Sequence, residues 1–426
     1  MNPSDPSLED FRAVERSDPW WSLAHLSLAM TWIGLLGITN AGEGIAFGLL
    51  TAVAAIRLPS TLRLYSMLLQ STAMRCFLAF VAWQAVSVAW STNPAVRWHD
   101  GIIRFTVVPF ALWPLAHRAR ELAFTFCAAA ALHSISIIGL NVRLQRVILH
   151  TRAAAGKEVG MTAACLVPAL LVLLLAARPR NRIAAATRWL GAMAIASALA
   201  ILSQRTAFVT LAASLCAAVA RLLASPGRSR RVAVSVAIGI ALGVSALSLS
   251  PRVRHTAVDV WKSSARPDAG ASDINRITSG RYSLALVALD MFHEHPILGC
   301  GARSFETEIA DRMTSDTERF AVPAKLASAY RGLATSHNAF LDEASMRGVV
   351  GIVLLALLVQ SMVVAAWRFH ADAATLPAIV AWVIVGLSDA TTSRGTYLAL
   401  LGILVARCAM LDRAQRPPTP GGAVEG

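Results

Sequence analysis

The feature that most constrains this chain is a series of apolar runs, each close to twenty residues long. A helix of that length crosses the hydrocarbon core of a bilayer, and it satisfies its own backbone hydrogen bonds in lipid. Of the 426 residues, 56% are hydrophobic and only 15% are charged, whereas soluble domains carry more charge. The sequence therefore predicts an all-α, polytopic membrane protein.

The apolar pattern predicts about twelve transmembrane helices. No cleavable signal peptide is evident, because residues 1–19 are polar and Trp20 and Trp21 open the first run as interfacial anchors do. The stretch 57–75 is compatible with an interfacial helix. The expected spans are 21–39, 44–57, 76–92, 102–117, 122–140, 160–177, 189–204, 206–222, 232–250, 345–366, 375–390 and 396–411.

Arginines accumulate in every second loop, which predicts that both termini are cytoplasmic. Loops of this kind also contact anionic lipid headgroups, and this accounts for most of the net charge of +14. Nucleic-acid binding is disfavoured, because the charge is scattered over short loops rather than gathered on a soluble domain. The arginines expected inside are Arg57, Arg63, Arg75, Arg118, Arg120, Arg178, Arg180, Arg182, Arg188, Arg221, Arg228, Arg230, Arg231, Arg413 and Arg416.

This topology leaves one large outer segment. Residues 251–342 hold eleven Lys/Arg and eleven Asp/Glu, a balance expected of a small folded domain. Within it, GRYSLALVALDMFHEH predicts a helix, which Pro296, Gly299 and Gly301 end. No disulfide is expected at Cys300. The predicted divisions are a transmembrane bundle of about nine helices (1–250), a large helical periplasmic loop domain (251–343), three C-terminal transmembrane helices (344–412) and a cytoplasmic tail (413–426).

Several cations fall on the expected outer side, against the usual bias. One such arginine alone is readily explained by snorkelling, helix capping or an exposed basic loop. Several together favour an anionic substrate, and guanidinium groups pair bidentately with phosphate, so a diphosphate is the natural ligand. The cations are Arg205, Arg281, Arg394, and Arg143, Arg146, Arg152 and Lys157 of the loop 141–159.

A histidine stands where a polar run meets an apolar span, in ATSHNAFLDEASMRGVVGI. A common structural explanation is that Ser336 or Asn338 caps the helix and His337 hydrogen-bonds a carbonyl. The functional alternative is that His337 is a general base, because histidine titrates near neutral pH and accepts a hydroxyl proton.

Metal and nucleotide motifs are scarce. His293, Glu294 and His295 are adjacent on a helix, so they do not share one face, and a further ligand is not evident. The sequence has no Asp-x-Asp pair and no Gly-rich phosphate loop. We therefore expect no metal and no cofactor, and ATP-driven transport is disfavoured.

Three motifs, in this order, resemble the O-antigen ligase/polymerase superfamily of bacterial membrane glycosyltransferases. SQRTAFVTL (203–211) resembles its Ser-Arg-Thr helix start, although Gln204 replaces the commoner Ser or Gly. SGRYSLALVALDMFHEHPILGCGARSF (279–305) resembles its Ser-Gly-Arg, helix, His-Pro and Gly-x-Gly pattern. SHNAFLDEASMRGVVG (336–351) resembles its His-Asn pattern with two later glycines.

The resemblance implies a GT-C-like fold and glycan transfer from undecaprenyl diphosphate at the periplasmic face of the bacterial inner membrane. It assigns diphosphate binding to Arg205 and Arg281, the essential base to His337 and, loosely, a late functional acid to Asp389. Asn338, Arg143, Arg146 and Arg152 are further candidates for substrate contact. The arginines would stabilise the leaving diphosphate, as a metal ion does elsewhere, and the displacement would invert the anomeric carbon.

The favoured function is an O-antigen ligase, with lipid A-core oligosaccharide as acceptor and undecaprenyl-diphosphate-linked O-antigen as donor. An O-antigen polymerase is the alternative. A protein O-oligosaccharyltransferase is disfavoured, because the chain stops about fifteen residues after its last expected span. A transporter or flippase of a lipid-linked sugar also has about twelve spans and cavity arginines, but neither an internal repeat nor charges at the membrane midplane are evident.

Overall fold

The computed structural model describes residues 8–36, 38, 40–93, 102–143, 159–175, 181–202, 205–224, 275, 278, 280–320, 335–369, 372–388 and 395–415. Within these ranges the chain forms fifteen α-helices and no β-strand. The helices are α1 Glu9–Ser17, α2 Pro19–Leu35, α3 Asn40–Ile56, α4 Leu58–Leu69, α5 Thr72–Val86, α6 Ile102–Leu112, α7 Ala119–Arg143, α8 Val159–Leu175, α9 Arg182–Leu202, α10 Arg205–Leu223, α11 Arg281–Glu294, α12 Ser304–Ser315, α13 Ala339–Arg368, α14 Thr375–Ser388 and α15 Gly395–Gln415.

Several helices are long and apolar enough to cross a membrane. In the described part there are five, and six if the bent pair α3 and α4 forms one span. They are Thr72–Trp90, Thr106–Leu140, Arg182–Ile201, Thr206–Leu223 and Ala339–Arg368. The all-α, multi-pass character is thus as predicted. The total of twelve, the GT-C-like arrangement and the domain divisions stay predictions, and the expected span 232–250 lies outside the described residues.

The bend between α3 and α4 is 97°. Such a bend is compatible with α4 lying along the membrane surface, the arrangement suggested by the sequence of residues 57–75. Arg57 stands at this corner with a side chain only 2% exposed. Its Nη1 lies 2.9 Å from His25 Nδ1 and its Nη2 donates to Ser22 Oγ at 2.6 Å. His25 Nε2 in turn lies 2.8 Å from the Ala111 carbonyl oxygen. Arg57 therefore joins this corner to α2 by buried hydrogen bonds, in addition to contributing to the charge pattern that predicts the topology.

Ion pairs join the ends of helices at one end of the bundle. Glu15 of α1 pairs with His117 and Arg118, which precede α7. Asp10 of α1 pairs with Arg413 of α15 at 3.0 Å. Each of these contacts joins segments that the charge pattern assigns to one side of the membrane.

At the opposite end, α11 and α12 pack on the first turns of α13. The helix expected from GRYSLALVALDMFHEH is α11. The three helices share one apolar core, which we call the outer unit. Its residues are Leu284, Val287, Ala288, Met291, Cys300, Phe305, Ile309, Met313, Phe320 and Met346, with Leu286 and Leu341 against it.

Candidate functional site

The segment that follows α11 fills a break in α13. Gly348 has non-helical angles (φ 65°, ψ −160°) inside that helix, so hydrogen bonds of the helix are lost there. The amides of Cys300 and Gly301 donate to the carbonyls of Ser345 and Met346, both at 2.9 Å. The Val349 amide donates to the Pro296 carbonyl at 2.8 Å. The loop thus supplies partners that the break removed.

Two glycines permit this close approach. A Cβ atom on Gly348 would lie 2.2 Å from the Ile297 carbonyl oxygen, and one on Gly299 would lie 2.2 Å from the Arg347 nitrogen. Both residues have positive φ angles, which glycine adopts without a steric penalty. Gly299 of the second sequence motif and Gly348 of the third therefore share one cause, the contact between this loop and the broken helix.

The same loop is tied to the end of α5 and the 3₁₀ turn Ser87–Trp90. The Ala302 amide donates to the Ser87 carbonyl at 3.1 Å. The Trp90 indole donates to the Leu298 carbonyl at 3.2 Å. The loop therefore lies between α5 and α13 and fixes one relative to the other.

A buried ion pair strengthens this junction. Arg347 Nη1 lies 2.9 Å from Glu343 Oε1, and the two side chains are 7% and 0% exposed. Gln84 of α5 donates to the other carboxylate oxygen of Glu343 at 2.8 Å. Sequence reasoning missed this pair, although two acids and an arginine in an apolar helix are a usable signal.

His337 is half-buried and precedes α13 with φ 59°, the left-handed region that non-glycine residues rarely adopt. Asn338 caps the helix, because its Oδ1 accepts hydrogen bonds from the amides of Phe340 and Leu341 at 3.0 and 3.1 Å. Its Nδ2 donates to the Leu387 carbonyl of α14 at 3.0 Å. Asn338 therefore caps α13, as the sequence predicted, and in addition joins the start of α13 to the end of α14.

A buried carboxylate lies one turn into the helix. Asp342 is 0% exposed. Its Oδ1 accepts hydrogen bonds from the Ser336 amide and hydroxyl, each at 2.7 Å. The Asp342 amide donates to the Asn338 carbonyl at 2.9 Å. Asp342 was not singled out from the sequence, where it resembles any polar residue near a helix start.

The two arginines of the resemblance each begin a helix. Arg205 is the first residue of α10, as the sequence predicted, and its side chain lies outside the described set. Arg281 is the first residue of α11, is exposed, and follows Gly280, whose φ is 84°.

The starts of α11 and α13 lie at one end of the outer unit. The end of α11 meets the break in α13, through Pro296 and Val349. Leu284 of the first turn of α11 and Leu341 of the first turn of α13 contribute to the same core. Arg281 and His337 therefore belong to the same end of this helix pair.

Helix α10 also begins at that end. It packs along α14, and at its far end Arg221 donates to the Ala366 carbonyl near the end of α13. The opposite end of α14 carries Leu387, which binds Asn338. Since α10 and α13 thus run in the same direction beside α14, their starts lie on the same side of the bundle.

The other candidates lie at or beyond the limits of the described residues. Arg143 ends α7, with its side chain outside the described set. Arg146, Arg152 and Asp389 fall outside the described residues altogether.

Among the residues that the structure describes, no group of three His, Cys, Asp or Glu side chains is arranged to hold a metal ion. Glu294, one of the metal ligands considered from the sequence, pairs with Arg312 at 2.6 Å.

Burial raises the pKa of the Cys300 thiol to about 12, and all six cysteines are free.

The described helices define a multi-pass helical membrane protein, in which Arg205 and Arg281 begin helices and His337 lies two residues before the start of α13. Residues 190–356 match a protein-family model described as O-antigen ligase. The match contains Arg205, Arg281 and His337, and it supports the resemblance of residues 190–356 to the O-antigen ligase superfamily, a glycosyltransferase-like membrane family. A search of curated proteins found no match.

Proposed function

We propose that this protein is a lipopolysaccharide O-antigen ligase. It would transfer O-antigen glycan from undecaprenyl diphosphate to a sugar hydroxyl of lipid A-core, at the periplasmic face of the inner membrane. The observation that carries the proposal is the family match over residues 190–356, which includes a half-buried histidine at the start of a broken membrane helix.

The proposed reaction is a single displacement at the anomeric carbon. His337 accepts the proton of the acceptor hydroxyl as the new glycosidic bond forms, and the bond to undecaprenyl diphosphate breaks with inversion. Arg205 and Arg281 stabilise the charge that grows on the leaving diphosphate, and preorganised cations are well suited to this. The start of a helix adds amide donors, which also favour an anion.

Charge supplied by arginines removes the need for a divalent cation in this proposal. The absence of an Asp-x-Asp pair from the sequence supports it. Asp389 would contribute an acid near the site, and Asn338 would hold the start of α13 in place while contacting substrate.

The basic loop after α7 favours the ligase over a polymerase. Arg143, Arg146 and Arg152 carry charge suited to the phosphates of lipid A-core, whereas the acceptor of a polymerase is another lipid-linked glycan. The direct test is transfer by the purified protein, given undecaprenyl-diphosphate O-antigen and lipid A-core, with and without EDTA.

The variants for this test are His337→Ala and, as a control, His293→Ala, which changes an exposed histidine of α11. We expect higher-mass lipopolysaccharide from the wild type and from His293→Ala despite EDTA, and a loss of at least about 100-fold in His337→Ala. Lengthening of the lipid-linked glycan alone would indicate a polymerase. Folded protein that yields no covalent product would indicate a transporter.

A further inference from the structure

Two neighbouring acids in the first turns of α13, Asp342 and Glu343, are both 0% exposed. Glu343 has a cation and an amide as partners, Arg347 and Gln84. Asp342 differs, because its carboxylate takes both of its hydrogen bonds from Ser336, and no other described side chain donates to it. A buried acid with so local a set of partners needs an explanation beyond helix stability.

The bonds of Asp342 lie on both sides of His337. Its carboxylate holds the amide and hydroxyl of the preceding residue, Ser336, at 2.7 Å. Its own amide makes the ordinary first-turn hydrogen bond of the helix to the carbonyl of the following residue, Asn338, at 2.9 Å, and the Asn338 side chain caps the same turn. Between these two fixed residues, His337 has φ 59°, a conformation that persists only where the surroundings impose it.

We propose that Asp342 is the positioning residue of His337: its carboxylate fixes Ser336 and, together with the cap at Asn338, imposes the left-handed backbone that sets the direction of the imidazole. The consequence for catalysis rests on the proposed function, whereas the positioning itself does not. An acid suits this role, because one side-chain oxygen accepts from both the amide and the hydroxyl of Ser336.

The first test measures histidine reactivity and needs no substrate. Full-length protein in detergent is treated with diethyl pyrocarbonate, and the modification of each histidine is followed by mass spectrometry across the neutral pH range. His293 and His295 are exposed on the outer unit and serve as internal references. The pH profile separates a change in the pKa of His337 from a change in its accessibility.

The variants separate the acceptor oxygen from the side-chain volume. Asp342→Asn keeps an oxygen that accepts from Ser336, so its His337 rate should stay within about twofold of the wild type. Asp342→Leu keeps the volume and loses the acceptor, so the His337 rate should change at least about fivefold. Ser345→Ala is the control, because this buried serine donates to the Asp342 carbonyl and not to its carboxylate.

An unchanged His337 rate in folded Asp342→Leu would overturn the proposal. If that variant does not fold, Ser336→Ala removes one of the two donors, and an unchanged rate there would overturn it equally. A shift in Ser345→Ala as large as that in Asp342→Leu would also count against it, because the effect would then be general to the helix.

Glycan transfer supplies the second readout. In Asp342→Leu, kcat should fall at least about tenfold while KM for the donor stays within about twofold, because the arginines still bind the diphosphate. A selective rise in KM would place Asp342 in donor binding and overturn the proposal. If wild type transfers nothing while the reactivity change is present, the proposed function fails and the positioning stands.

Discussion

At the residue scale, the break in α13 depends on one backbone position. Gly348 has a φ of 65°, and a side chain there meets both the left-handed penalty of L-residues and the carbonyl of Ile297. The third sequence motif contains two glycines, Gly348 and Gly351. The motif alone does not predict a special backbone conformation at either, because a glycine within a helical pattern often keeps helical angles. The special conformation of Gly348 follows from a contact with the loop after α11, which lies about fifty residues earlier in the chain.

Gly348→Ala should therefore lower stability by more than about 2 kcal/mol, because strain and a backbone clash act together. Gly48→Ala is the matched control: Gly48 lies in α3 with no atom within 4 Å of an added Cβ, so helix propensity alone should leave it neutral or slightly more stable. Thermal unfolding of both variants in the same detergent checks this. Equal midpoints for the two variants would show that α13 does not need the break.

At the element scale, the buried pair Glu343 and Arg347 of α13 holds the end of α5 through hydrogen bonds to Gln84 and Ser87. Removing one member of a buried ion pair leaves an uncompensated charge, whereas removing both does not. Arg347→Met should lower the free energy of unfolding by about 3–5 kcal/mol, and Glu343→Gln combined with Arg347→Met should restore most of that loss. A double-mutant cycle by thermal unfolding measures the coupling. Additive effects of the two changes would mean that the pair contributes no coupling.

Ion pairs also hold α11 to α12, in the outer unit and away from the membrane spans. Arg312 contacts Asp290, Glu294 and Glu308 at 2.6–2.8 Å, and its hydrogen bonds lower the pKa of Glu294 below the ordinary 4.5. A carboxyl whose pKa is lowered by folding contributes stability above its unfolded pKa, and loses it as pH falls through the folded pKa.

The outer unit should therefore loosen as pH falls below about 4.5. Arg312→Gln should be less stable than the wild type at neutral pH and should lose less on acidification. Hydrogen exchange of peptides from α11 and α12, compared at neutral and acid pH, measures both effects. Peptides from α9, which has no part in this cluster, provide the reference, and an identical acid response in wild type and Arg312→Gln would contradict the assignment.

Periodicity predicted most of these elements because a lipid-facing helix must be apolar over its whole length. The start of α10 at Arg205 and the helix α11 agree with the pattern. The start of α13 was harder: apolarity begins near Val349, yet the helix begins at Ala339, because its first turns are buried by protein. The pairing of Glu343 with Gln84 and of Asp342 with Ser336 depends on tertiary contacts and rotamers, which composition does not encode.

At the scale of the whole molecule, the polar contacts described above lie at two opposite ends of the helix bundle. Asp10, Glu15 and Arg413 meet at one end, and the outer unit meets the start of α13 at the other. The proposed reaction requires the second end to face the periplasm, because the proposed transfer takes place at that face of the membrane. The charge pattern predicts this orientation through the arginine-rich loops at the first end.

Cysteine labelling in cells tests the orientation. In a background without the six native cysteines, Arg16→Cys places a thiol on α1, where the Arg16 side chain is 66% exposed. His293→Cys places one on the exposed side of α11. A membrane-impermeant maleimide should label His293→Cys in spheroplasts and Arg16→Cys only after permeabilisation. Detergent-solubilised protein, in which both thiols should react, controls for accessibility. Labelling of Arg16→Cys alone from outside would show the reverse topology. His337 would then face the cytoplasm, and the proposed transfer at the periplasmic face would be contradicted.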